Sequence, residues 1–124
     1  MSTRDHRSDG CRVLIVEDEY LLAGDLEDAL KSHGSSIVGP FADFDAAYRQ
    51  AERDHFDVAI IDVNLRDRAA YPIADELIRQ SIPFVFYTGY GGDIIPERFA
   101  GVKQWQKPFR PPDHVDEIAR LCRR

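Results

Sequence analysis

The 124 residues suit one globular domain, a length at which roughly two-thirds of the unfolded chain's surface can be buried. Hydrophobic residues make up 44% of the chain and charged residues 31%, a balance that argues against disorder, and no apolar run approaches the ~18 residues of a membrane span. The net charge of -6 and the pI near 5.1 argue against binding a phosphate backbone as the main function, because counterion release needs a basic face.

Residues 1–10 mix charges with Ser, Thr and Gly without a period and read as a frayed tail, which sets the domain at 11–124. The tail is unlike a signal sequence, and Cys11 and Cys122 lie one near each end with no spacing that suggests a metal site or a disulfide framework. A reducing, cytoplasmic setting is expected. Arg12–Val16 is an almost wholly apolar run, the pattern of a strand buried on both faces, and it delivers Glu17 and Asp18 at its C-terminal end. From Glu19 to His33, Leu22, Leu26, Ala29 and Leu30 recur at helical spacing, and Gly34 follows as a left-handed C-cap. Ile37-Val38 is a short strand stopped by Gly39-Pro40; Asp43 or Asp45 then caps a helix with Phe44, Ala47, Tyr48 and Ala51 on one face.

Asp57 to Ile61 is a second apolar run and again ends in an acid, Asp62. Pro72 suits the first turn of a helix running to about Gln80, with Ile73, Leu77 and Ile78 facing inward. Ile82 to Tyr87 is a third buried strand, followed by Thr88-Gly89. Tyr90 to Val102 carries four Gly/Pro residues, so any helix there is expected to be short or irregular. Gln104-Trp105-Gln106 reads as an edge-like strand before Lys107-Pro108, and Pro112 to Leu121 as a final helix with Val115, Ile118, Ala119 and Leu121 apolar.

Five strands alternating with helical segments imply an α/β fold, a doubly wound parallel sheet with helices on both faces. In such sheets the ligand site lies outside the C-terminal strand edge, where Glu17, Asp18, Asp62, Thr88 and Lys107 all fall.

Three carboxylates gathered at one edge repel one another, and a hard divalent cation, Mg²⁺, compensates them with oxygen ligands. The backbone carbonyl of Asn64 offers a further ligand. A carboxylate such as Asp62 can also act as a nucleophile toward a phosphoryl group, provided the charge on the transferring group is neutralised. Lys107 supplies a point positive charge, Thr88 a hydroxyl donor, and Gly89 leaves room for the added group while offering its backbone N–H.

These motifs, in this order, resemble the receiver domains of response regulators over residues 11–122: Glu17-Asp18 after Val-Leu-Ile-Val, Asp62 in Ile60-Ile61-Asp62-Val63-Asn64, Thr88-Gly89, and Lys107-Pro108-Phe109. The segment Pro83 to Gly91 is similar to a variant subgroup with a Phe-Ala-Thr-Gly-x-Tyr signature, though Tyr87 stands where that signature has Ala and Tyr90 follows Gly89 directly. The resemblance implies a flavodoxin-like fold and a stand-alone phosphoacceptor switch of a two-component system. A sensor histidine kinase or histidine phosphotransfer domain would be the donor. Transfer and slow autodephosphorylation would be self-catalysed, so the chain is expected to be a signalling domain and not a turnover enzyme. Asn64 and Tyr90, at positions that line the phosphoryl path in the family, would tune the lifetime. Receivers ordinarily place an aromatic switch residue three positions before the lysine; here Gln104 stands there, Trp105 should point to the opposite face, and Tyr90 is the candidate substitute reporter. Output is expected through protein–protein contacts with an unknown downstream protein, or from a larger parent chain. No direct nucleic acid or membrane partner is expected, and the assembly state is expected to be a monomer or weak homodimer.

Other readings compete with these. Asp62 alone reads more simply as a cap or turn former, and Glu17 and Asp18 as first-turn acids. His6, His33, His55 and His114 have no ligand spacing and read as surface residues; Trp105 reads equally as packing. An aspartate-nucleophile hydrolase wants a second Asp two residues beyond the nucleophile, where Asn64 stands. A degenerate receiver that only binds a partner would not need the full set of acids, Thr88 and Lys107.

Overall fold

In the computed structural model the described residues are 10–53, 55–66, 68–89, 95–106 and 114–122. Residues 1–9 of the expected tail lie outside them. The chain opens with strand β1 (Arg12–Val16), helix α1 (Tyr20–Ser32), strand β2 (Ser36–Phe41), helix α2 (Phe44–Arg53) and strand β3 (Val58–Asp62). A small antiparallel hairpin follows, β4 (Asn64–Leu65) paired with β5 (Arg68–Ala69), then α3 (Tyr71–Arg79), β6 (Phe84–Thr88), β7 (Gln104–Gln106) and α4 (Val115–Cys122). The main sheet has the order β2-β1-β3-β6-β7, with every neighbouring pair parallel.

Side chains alternate across this sheet, so each inner strand feeds two cores. Leu14, Val16, Ala59, Ile61, Phe84 and Phe86 pack with Phe44 and Ala47 of α2 and Ile73 and Leu77 of α3. The opposite set, Val13, Ile15, Val58, Ile60, Val85 and Tyr87, packs with Leu26 and Leu30 of α1, Ile118 of α4 and Trp105 of β7. Apolar runs without alternation are what such two-sided burial demands. The fold is thus the expected five-stranded, doubly wound α/β sheet.

Local choices agree with it. Asp43, not Asp45, caps α2, its Oδ2 accepting the Ala46 N–H at 2.9 Å. Strand β2 does not stop at Gly39-Pro40 but runs through to Phe41, which an edge strand permits because one row of its N–H groups needs no partner. Gly39 sits at φ +107°, and a Cβ there would lie 2.9 Å from atoms of Phe41. Only glycine fits.

Several expectations are corrected. Ile78 is 47% exposed, because the inward face of α3 is formed by Ile73, Ala74 and Leu77 and the next residue is turned away from it. His33 is half-buried and its Nε2 lies 3.3 Å from Asp116, joining the end of α1 to α4, while His114 stacks on Trp105 with ring centroids 4.3 Å apart. Cys11 and Cys122, separated by 111 residues, form a disulfide with Cα atoms 6.1 Å apart. Helix α4 returns to the sheet so that its last turn meets the start of β1, a meeting that residue spacing cannot reveal. Between β6 and β7 the described residues hold a single 3-10 turn, Glu97–Phe99, which buries Phe99 against Tyr71 and Phe86. Among the described residues no helix is long and apolar enough to cross a membrane.

Candidate functional site

Because β1, β3 and β6 run parallel, their C-terminal ends open on one edge. Glu17 and Asp18 follow β1, Asp62 ends β3 and Thr88 ends β6. The three carboxylates each bring an oxygen within 4.8 Å of the others. Glu17 and Asp62 are buried, at 2% and 5% exposure, and Asp18 is partly buried. Such a gathering stands only if something holds and compensates the charges.

Backbone donors do part of this. The Glu19 N–H donates to Glu17 Oε2 at 2.6 Å, the Asn64 N–H to Asp62 Oδ1 at 3.0 Å, and the Arg66 N–H to Asp18 Oδ2 at 2.8 Å. Each bond fixes one carboxylate oxygen in place. The third comes from the turn of the β4–β5 hairpin, where Arg66 adopts φ 39°. Its guanidinium Nε also lies 3.7 Å from Asp18. Sequence reasoning misses Arg66, since two-residue strands leave no periodic trace and one basic residue in a charged loop carries no signal.

Tyr87, beside Asp62 in register across β3 and β6, is fully buried beneath this edge. Burial pushes its phenol well up, and the charges of Glu17, Asp62 and Glu19, with a hydrogen bond to Glu17, push it further the same way. Thr88, at 1% exposure, pairs in register with Gln106 at the end of β7. A Cβ at Gly89 would meet nothing within 4 Å, so the backbone there fronts open space.

Gln104 is exposed and Trp105 only 3% exposed, so the two do point to opposite faces. Trp105 Nε1 donates to Glu117 Oε1 at 2.7 Å, which makes it packing between β7 and α4. Lys107 and Tyr90 lie outside the described residues. Beside the acids, an open groove of about 580 Å³ is lined by Glu17, Asp18, Tyr20, Leu21, Pro40 and Arg66 among others. Tyr20 and Leu21 are 88% and 80% exposed there.

The sequence matches the model of the response regulator receiver domain over residues 13–118. The chain belongs to this family. This receiver is 35% identical over 111 residues to the transcriptional regulatory protein PdtaR of Mycobacterium tuberculosis, a match covering 86% of the chain and 54% of PdtaR. The chain thus spans about half the length of the curated relatives it matches. Among solved structures it is similar to SdrG from Sphingomonas melonis Fr1, at 37% identity and a TM-score of 0.79, covering 93% of this chain and 98% of that one. The receiver domain of the sensor histidine kinase PA1611 from Pseudomonas aeruginosa PAO1, described with a magnesium ion coordinated in its active site cleft, shares the fold at 24% identity and a TM-score of 0.76. That match covers 93% of this chain and 99% of the other. The receiver fold and the two-component class of this chain follow from these matches.

Proposed function

We propose that this receiver takes a phosphoryl group onto Asp62 in a Mg²⁺-dependent reaction and signals through protein contacts. The observation that carries the reading is the cluster of Glu17, Asp18 and Asp62, three oxygen donors within 4.8 Å at the C-terminal edge of the sheet. A hard, all-oxygen donor set of this kind fits Mg²⁺, with the Asn64 carbonyl as a further ligand. When bound, the ion neutralises charge on the transferring phosphoryl group.

The chain's own groups supply the rest. The Asn64 N–H holds Asp62 Oδ1, which orients the carboxylate for attack. The P–N bond of a donor phosphohistidine breaks as a P–O bond to Asp62 forms, and the imidazole leaves. Thr88 donates its hydroxyl to a phosphoryl oxygen, Gly89 gives room and a backbone N–H, and Lys107 adds a positive charge. Slow hydrolysis returns the carboxylate, with Asn64 and Tyr90 setting its rate. The donor is a sensor histidine kinase or histidine phosphotransfer domain, and the exposed Tyr20 and Leu21 beside the acids offer it an apolar foothold. The chain is a substrate and promoter of its own modification, not a turnover enzyme, and acts in the cytoplasm as a monomer or weak homodimer.

The test is incubation with Mg²⁺ and acetyl phosphate followed by intact mass. A labile gain of one phosphoryl group that disappears in Asp62→Ala and with EDTA supports the proposal. No adduct on a folded, Mg²⁺-binding chain overturns it in favour of partner binding alone, and steady phosphate release from many monoesters points to a hydrolase.

A further inference from the structure

At the edge of the sheet opposite the carboxylates, Cys11 lies just before β1 and Cys122 in the last turn of α4, and the disulfide between them closes a loop of 111 residues. The two cysteines are unequally exposed. Cys11 is 3% exposed, whereas Cys122 is half-buried at the helix end. Exchange with an external thiol is governed by which sulfur can be reached, so it enters at Cys122.

We propose that Cys11–Cys122 is a reversible redox clasp, opened and closed by a small-molecule dithiol/disulfide couple, that fixes α4 to the sheet. In opening, a dithiol attacks Cys122 Sγ as its thiolate; the protein S–S bond breaks and Cys11 leaves as a thiolate that takes up a proton. The second thiol of the dithiol resolves the mixed disulfide, releasing Cys122 as a thiol and a cyclic disulfide as the oxidised product. Closing is the reverse.

The clasp matters because α4 is short, and among the described residues its contacts with the rest of the domain include these. Its buried residues are Ile118 and Ala119 alone, with Val115, Leu121 and Cys122 packed at the margin. Near its start Glu117 accepts the Trp105 indole N–H at 2.7 Å, and Asp116 faces His33 at 3.3 Å. The disulfide is the covalent hold at its other end. Trp105 sits in β7, which pairs with β6 and the terminal Thr88, so freeing α4 loosens a contact that supports the strand next to the site.

The experiment compares the full chain before and after a dithiol, with Cys122→Ser and Cys11→Ser alongside. Intact mass, thermal melting and the emission of Trp105, the sole tryptophan, are read. The clasp predicts a gain of about 2 Da on reduction, a melting temperature lower by at least roughly 10 °C, and a red shift as the indole becomes wetter. Reoxidation by a small-molecule disulfide should reverse all three, and each variant should match the reduced wild type and ignore the dithiol. Wild type that melts and emits identically in both states overturns the proposal, as does a disulfide that forms only between chains. Retention of Zn²⁺ by uncrosslinked thiols would assign Cys11, Asp57 and Cys122, whose ligand atoms cluster within 4.8 Å, to a metal instead. None of these readouts involves phosphoryl chemistry, so this proposal and the proposed function fail independently.

Discussion

The two ends of the central sheet treat the same residue type in opposite ways. At the end where β1 and β3 begin, Asp57 faces Arg12, its Oδ2 accepting the Arg12 backbone N–H at 2.9 Å and its Oδ1 lying 3.3 Å from the guanidinium Nη2. Burial pushes the Asp57 carboxyl up, but the hydrogen bonds and charge of Arg12 outweigh it and hold the carboxyl below the usual range. At the end where these strands finish, Glu17, Asp18 and Asp62 are brought together within 4.8 Å, with two of the three buried. One acid is matched to a cation of its own chain; the other three are gathered at one strand edge, where a single ion could reach all of them. A sheet end that pairs each charge favours stability, whereas, among the described residues, the other end gathers charges of one sign, the pattern the proposed Mg²⁺ site requires.

The sharpest test of that contrast is the sign of matched substitutions. In EDTA, Asp62→Asn should stabilise the chain by about 1–2 kcal/mol, because it removes one of three crowded charges while keeping the side-chain shape. Asp57→Asn should destabilise it by about 1 kcal/mol, through loss of a charge-assisted contact to Arg12. Urea unfolding at equal ionic strength gives both numbers. Added Mg²⁺ should raise the stability of wild type and leave Asp62→Asn nearly unmoved. Two destabilising variants would show that the acidic end carries no excess of repulsion, and the comparison would fail.

Acid should act on the closed end by a smaller amount. The Asp57 carboxyl is held below its ordinary value of 3.8, so it contributes stability that is present above that value and is lost as pH falls through the lower, folded one. The gap between wild type and Asp57→Asn in unfolding midpoint should therefore be full at neutral pH and close as pH drops below about 3.8. A gap unchanged by acid would mean that the Asp57→Asn substitution costs packing and not charge.

Most of this architecture is legible in the sequence because parallel strands buried on both faces leave continuous apolar runs, and the acids that stop those runs must fall on one edge. Glu17, Asp18, Asp62 and Thr88 are placed by that logic without any contact being known. What escapes such reading depends on contacts between distant segments or on elements too short to show a period. The disulfide requires knowing that α4 comes back to β1. Ile78 reads as core because it is apolar, yet the helical angle that buries Leu77 turns its neighbour outward. Strand β2 reads as cut short because Pro40 is a breaker in a central strand, and its edge position is a property of the sheet order. The β4–β5 hairpin, two residues on each side, leaves no pattern at all, and Arg66 is hidden with it.

Arg66 supplies the smallest and most discriminating prediction, since among the described residues it is a cation beside the acids. Its backbone N–H holds Asp18, its side chain is 74% exposed, and its φ of 39° lies where a Cβ is unwelcome. Replacing Arg66 with Gly keeps the N–H bond and relieves the backbone, while an exposed ion pair at 3.7 Å contributes little. The variant should be more stable than wild type by about 0.5 kcal/mol. It should also bind Mg²⁺ about two- to threefold more tightly, because a positive charge beside the carboxylates has been removed. Titration calorimetry and urea unfolding measure the two effects separately. Weaker Mg²⁺ binding would show that the guanidinium orients Asp18 for the ion, so that Arg66 completes the acidic end and does not merely shield it.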